Sequence, residues 1–160
     1  MIKGDFGKIK KDKYTMNSFF SALENNHIEL KAPKVIKKGK ASGIIWGGNL
    51  ASITSLCGTD FIPDNDLILF TEDLNEPIYK IDKMLTQLIN IKEFRKNLKG
   101  IAFGEFIGID NTDQLEYLFS ELANKLDIPI ISGLKISHNS TKDTIPIGKT
   151  CILNNNKLSI

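Results

Sequence analysis

Between Leu67 and Ile131 the sequence alternates between two apolar rhythms, and that alternation constrains the fold more than any other feature. Leu67-Ile68-Leu69-Phe70 is a continuous apolar run, which suits a strand covered on both faces. After Pro77, residues Ile78, Ile81, Met84, Leu85 and Leu88 recur at three- and four-residue intervals. This spacing predicts a helix with one buried face, opened by a proline that has no N–H to leave unpaired. Ile101-Ala102-Phe103 predicts a further strand. Asp113 to Leu126 predicts a second amphipathic helix with Leu115, Leu118, Phe119 and Leu122 inward, and Ile128 to Ile131 a third strand. Strand, helix, strand, helix, strand implies an α/β fold. A length of 160 residues fits one domain with a sizeable core.

Upstream, Ile44-Ile45-Trp46 reads as the end of a strand, and Asn49 as the cap of a helix over Leu50 to Leu56 that Gly58 stops. The first forty residues read as a lysine-rich lead-in, with a short helix near Thr15 to Asn25 capped by Thr15 and a partly alternating stretch from Ile28 to Ile36. Downstream, Ile145-Pro146-Ile147, Cys151-Ile152-Leu153 and Lys157-Leu158 predict short closing strands around Gly148 and the Asn154-Asn155-Asn156 turn.

Charge narrows the function classes. Residues 1–40 carry ten Lys against four acids, whereas residues 41–160 carry eleven Lys or Arg against fifteen acids. The lysines of the basic segment are scattered and no nucleic-acid motif accompanies them, so a solvated basic surface is expected and no nucleic-acid partner. The start lacks the continuous apolar run of an export signal, and the uncharged stretch from Ala41 to Gly58 contains four Gly, three Ser, Asn49 and Thr54. No membrane segment and a cytoplasmic location are therefore expected. Cys57 and Cys151 are expected as free thiols, and two cysteines with the distant His27 and His138 make no zinc signature. Neither a metal nor a cofactor is expected.

Three places carry groups with chemical potential. Gly47-Gly48-Asn49 joins two residues that permit close backbone approach to a helix-capping Asn; it reads either as a tight strand-to-helix turn or as a loop whose amides meet a carboxylate. Glu72 and Asp73 follow the Leu67 to Phe70 run, a common position for functional groups in α/β domains, although either is equally suited to satisfying amides there. His138 lies in the polar stretch Ser132-Gly133-Leu134-Lys135-Ile136-Ser137-His138-Asn139-Ser140, where it is either an exposed loop residue or a general base paired with an acid. No Gly-x-Ser-x-Gly elbow presents a nucleophilic serine.

Three islands in this order resemble the C-terminal domain of the LD-carboxypeptidase family, which includes muramoyltetrapeptide carboxypeptidases and microcin C immunity peptidases. They are Trp46-Gly47-Gly48-Asn49-Leu50 with Gly58-Thr59; Leu69-Phe70-Thr71-Glu72-Asp73-Leu74-Asn75-Glu76-Pro77 with the helix that follows; and Ile128 to Leu134 leading to His138 and Ile145-Pro146-Ile147-Gly148. The resemblance covers roughly residues 40 to 155. It implies a swivelling β/β/α domain and a serine peptidase with a Ser-His-Glu triad, in which Glu72 matches the acid and His138 the base. Gly47, Gly48 and Asn49 are the expected substrate-binding residues.

Family members carry the nucleophilic serine and oxyanion hole on an N-terminal flavodoxin-like domain, which is expected to be absent here. Residues 1–35 are accordingly expected to be a remnant of that domain or a linker, and residues 36–160 the C-terminal-like domain. Ser137 stands where the family usually has Gly, and Lys83 where Arg is usual. The expected function is the acid/base half of a serine carboxypeptidase. It would remove terminal D-alanine from murein tetrapeptides in peptidoglycan recycling, with the serine supplied by a separately encoded domain. The alternative is a catalytically inactive fragment or peptide-binding module. Self-association as a homodimer is a further expectation.

Overall fold

A computed structural model describes residues 5–7, 12–24 and 27–160. The alternating segment forms the centre of one eight-stranded mixed sheet, in the order β1-β8-β7-β3-β4-β5-β6-β2. The strands are β1 (Glu29–Lys31), β2 (Lys34–Lys37), β3 (Lys40–Asn49), β4 (Leu67–Leu74), β5 (Leu98–Ile107), β6 (Ile130–Ser132), β7 (Thr150–Asn154) and β8 (Lys157–Ser159). Strands β3 to β6 run parallel, and antiparallel pairings continue the sheet on both sides.

The helices are α1 (Lys13–Leu23), α2 (Leu50–Thr54), α3 (Ile78–Ile89), α4 (Lys92–Asn97) and α5 (Thr112–Leu126). Helices α2 to α5 pack on one face of the sheet. Ile81, Met84, Leu85 and Leu88 of α3 and Leu115, Phe119 and Leu122 of α5 are buried there, against Leu67, Leu69, Ile101, Phe103 and Ile130. Phe103 and Phe119 stack with ring centroids 3.8 Å apart. The period-3.6 reading therefore holds for both long helices, with Leu118 only partly buried.

The opposite face gathers Leu30, Ile45, Ile68, Phe70, Ala102, Ile131, Cys151, Leu153 and Leu158 into a second core. Alternate residues of β4 thus feed the two cores, which explains its unbroken apolar run. β1 and β2 lie at opposite ends of the strand order yet only Ala32 and Pro33 separate them. Three Cα steps span at most roughly 11 Å, so the sheet must curl until its two edges come together. The second core fills the inside of that curl, giving two β layers and one α layer.

Several sequence expectations change in detail. Asp12, not Thr15, caps α1: its carboxylate accepts from the Thr15 amide at 2.8 Å. Residue Asn25 lies outside the described residues. The Ile28 to Ile36 stretch is two strands, split at Pro33, whose missing N–H cannot serve a ladder. Ile145-Pro146-Ile147 is irregular and not a strand. Finally, α4 had no sequence signal, being only one and a half turns around a single buried Phe94.

Candidate active site

Glu72 and Asp73 do not follow β4 but belong to it, because the parallel ladder continues past the apolar run: Asn49 pairs with Glu72 and Phe106 with Asp73. Both are buried, at 7% and 3% exposure, and alternation sends their side chains to opposite faces. Asp73 turns toward the start of α2. Its Oδ2 accepts from the Ala51 amide at 2.9 Å, and its Oδ1 from Asn49 Nδ2 and the Leu74 amide, both at 2.8 Å. A carboxylate with three donors is fully used by structure.

Glu72 faces the other way, toward the segment that follows β6. There His138 Nδ1 lies 2.7 Å from Glu72 Oε2. A carboxylate at this distance selects the tautomer with the proton on Nδ1, leaving the lone pair on Nε2. The imidazole is about half exposed and Nε2 makes no hydrogen bond among the described residues. A buried acid, an oriented imidazole and an open second nitrogen give an arrangement chemically able to accept a proton at Nε2.

The approach of the His138 segment depends on Gly104 in β5. A Cβ on Gly104 would sit 2.1 Å from the Ile136 carbonyl oxygen and 3.1 Å from Glu72 Cβ. With only hydrogen there, the Glu105 amide donates to Ile136 O at 3.0 Å and the loop closes over the strand ends. Farther along, α1 holds the loop: Thr15 Oγ1 donates to Ser140 O at 2.8 Å and accepts from the Lys142 amide at 3.0 Å. Tyr14 OH donates to Asp143 Oδ1 at 2.8 Å. Burial raises the Asp143 carboxyl above its ordinary range. Burial, then the bond to Asp143, pushes the Tyr14 phenol up to about 12.

Gly47, Gly48 and Asn49 lie beside this pair on β3. Gly47 has φ of +140°, and a Cβ there would meet the Phe70 carbonyl oxygen at 1.9 Å, so close strand approach demands glycine. Asn49 caps α2 as expected, accepting from the Ser52 amide at 3.0 Å. The Ala51 and Ser52 amides are therefore engaged by Asp73 and Asn49, and the free helix-start amides anticipated from sequence are taken at those two positions. The geometry thus brings Glu72 and His138 into contact, sets Asn49 next to Glu72 in the ladder, and assigns Asp73 to structure.

Sequence reading missed Glu105. Its Oε2 accepts from Ser137 Oγ at 2.6 Å and from Asn139 Nδ2 at 2.7 Å, the residues on either side of His138. No spacing rule reveals a strand-end Glu that serves a loop more than thirty residues away. Ser137 consequently points its hydroxyl at Glu105. Among the described residues no group of three or more His, Cys, Asp or Glu is arranged to hold a metal, and no helix is long and apolar enough to cross a membrane. Both cysteines are free thiols.

Comparison with known proteins places the sequence and the fold in one family. Residues 42–153 match the model of the LD-carboxypeptidase C-terminal domain. The chain is 30% identical over 126 residues to the murein tetrapeptide carboxypeptidase of Pseudomonas aeruginosa, covering 76% of this chain and 41% of that protein. It superposes on the crystal structure of muramoyltetrapeptide carboxypeptidase from Oxalobacter formigenes with a TM-score of 0.85 and 28% identity, covering 99% of this chain and 58% of that one. A microcin C7 self-immunity protein solved in complex with glutamyl sulfamoyl guanosine shares the fold at a TM-score of 0.66 and 24% identity, covering 85% of this chain and 41% of that one. The chain spans less than half the length of the first curated relatives it matches, 38% to 46%. Its sequence match, its single mixed sheet and the placement of its three sequence islands agree: the chain belongs to the LD-carboxypeptidase family and corresponds to that family's C-terminal domain.

Proposed function

We propose that this chain supplies the acid and base of a serine-type LD-carboxypeptidase that removes the terminal D-alanine of murein tetrapeptides, in cytoplasmic peptidoglycan recycling. The observation that carries the reading is the 2.7 Å bond from buried Glu72 to the half-exposed His138. The attacking serine comes from outside these 160 residues, on a partner domain. In support, the hydroxyl of Ser137, the serine beside the imidazole, donates its hydrogen bond to Glu105 and not to His138.

Glu72 fixes the tautomer and orientation of the imidazole and stabilises the imidazolium that forms. Nε2 takes the serine hydroxyl proton as the serine oxygen bonds to the scissile carbonyl carbon. It then gives that proton to the departing amine as the C–N bond breaks and D-alanine leaves. Water, deprotonated by the same nitrogen, attacks the acyl-enzyme and restores the serine. Gly47, Gly48 and Asn49 form the wall beside Glu72 against which the substrate carboxylate lies. Their support is their place on β3, where Asn49 pairs with the acid in the ladder.

Mixing the purified chain with a separately expressed serine domain tests this reading. D-alanine release only in the mixture supports it. No release from any mixture, with both parts folded, favours an inactive module that keeps the pocket without the chemistry.

A further inference from the structure

We infer that Glu105 is a positioning residue for His138, holding the imidazole on Glu72 through the two residues that flank it. The inference rests on the reading of His138 as the base, although the contacts stand independently of it. Among the described residues, His138 is itself held by one side-chain bond, to Glu72. A half-exposed ring on a surface loop with one bond has neighbouring rotamers within reach. Glu105 removes that freedom from both sides. One oxygen, Oε2, accepts from Ser137 Oγ at 2.6 Å and from Asn139 Nδ2 at 2.7 Å, while Ser137 Oγ also accepts from the Asn139 amide at 3.1 Å.

Bonds to a charged acceptor are stronger than neutral ones, and two donors converging on one carboxylate fix the segment between them. The main chain adds a third tie, from the Glu105 amide to Ile136 O at 3.0 Å, where Gly104 permits the approach. Glu105 touches neither the imidazole nor Glu72 through any hydrogen bond among the described residues, so it acts by placing the loop. A glycine at position 137 would leave Asn139 as the only side-chain donor, so the clamp depends on the serine this chain carries.

The test uses the whole chain labelled with 15N-histidine. Wild type is expected to show His138 with its proton on Nδ1 and a strongly downfield Nδ1–H resonance. E105A loses that resonance and shows averaged tautomers, whereas E105Q, whose amide oxygen still accepts one bond, recovers part of it. Should E105A fail to fold by circular dichroism, the loop variant S137A/N139A removes the same two donors and must give the same loss. A wild-type His138 spectrum in folded E105A, or in S137A/N139A, overturns the inference. In the assembled carboxypeptidase, E105A lowers kcat roughly 10- to 100-fold and leaves KM within about twofold. If no assembly releases D-alanine, the functional reading fails while the spectra still decide the role of Glu105. If E105A assemblies turn over at the wild-type rate, the positioning role fails while the function stands.

Discussion

Glu72 and Asp73 are consecutive residues of β4 that serve opposite faces of the sheet: Glu72 meets His138 at 2.7 Å, and Asp73 meets the Ala51 amide at 2.9 Å. Their substitutions should therefore separate function from stability. D73A leaves two backbone amides and the Asn49 side chain without their acceptor in a buried place, and is expected to cost about 3 kcal/mol in urea unfolding. E72Q is expected to stay within about 1 kcal/mol of wild type. Equal losses from both variants would contradict this division of labour.

Gly104 permits the loop carrying His138 to reach Glu72. G104A places a methyl group 2.1 Å from Ile136 O, and neither that carbonyl nor the strand can yield without breaking the Glu105 to Ile136 bond. Thermal melts should show a loss of about 2–4 kcal/mol, together with loss of the His138 to Glu72 contact. An unchanged melting temperature would mean that the loop does not close on the strand.

The two thiols should differ sharply. Cys151 is buried in the inner core, where burial pushes its thiol up to about 12, while Cys57 is partly exposed. At pH 8, Ellman's reagent should react with one thiol in the native protein and with two in denaturant. Two rapid equivalents in native protein would contradict the buried position of β7.

Alkaline titration probes the brace between α1 and the loop. Because the folded phenol of Tyr14 titrates near 12, above its unfolded value of about 10, its contribution to stability is complete below pH 10 and is lost as pH rises through 12. Wild type and Y14F should therefore differ in the phenolate absorbance step near pH 12, and Y14F should lack this part of the alkaline loss of stability. Identical titrations would mean that Tyr14 does not bond Asp143 in the folded protein.

The α/β core was legible because two periodicities alternate without interruption: apolar runs gave β4, β5 and β6, and three- and four-residue spacing gave α3 and α5. The strand ends were not legible. Nothing local marks Glu72 and Asp73 as strand residues, since their place in β4 is set by neighbours β3 and β5, and polar residues at a strand's end read as loop. The curl of the sheet was hidden for a similar reason: Lys31 and Lys34 sit on opposite edges, a relation that depends on which distant strands each pairs with. Within the site, the family resemblance makes Glu72 and His138 the expected acid and base, while residue chemistry alone leaves Glu72 and Asp73 equivalent. In the structure, alternation along β4 separates them, with Glu72 on His138 and Asp73 on the Ala51 amide. Glu105 escaped because its partners, Ser137 and Asn139, are far away in sequence.

D-alanine release from a murein tetrapeptide, measured for the chain combined with a serine domain and compared between wild type, H138A and E72Q, decides whether Glu72 and His138 act as acid and base. Release is expected with wild type, with rates lower by about 1,000-fold or more for H138A and similarly reduced for E72Q, all three proteins being folded. Release by H138A or E72Q at the wild-type rate would contradict it.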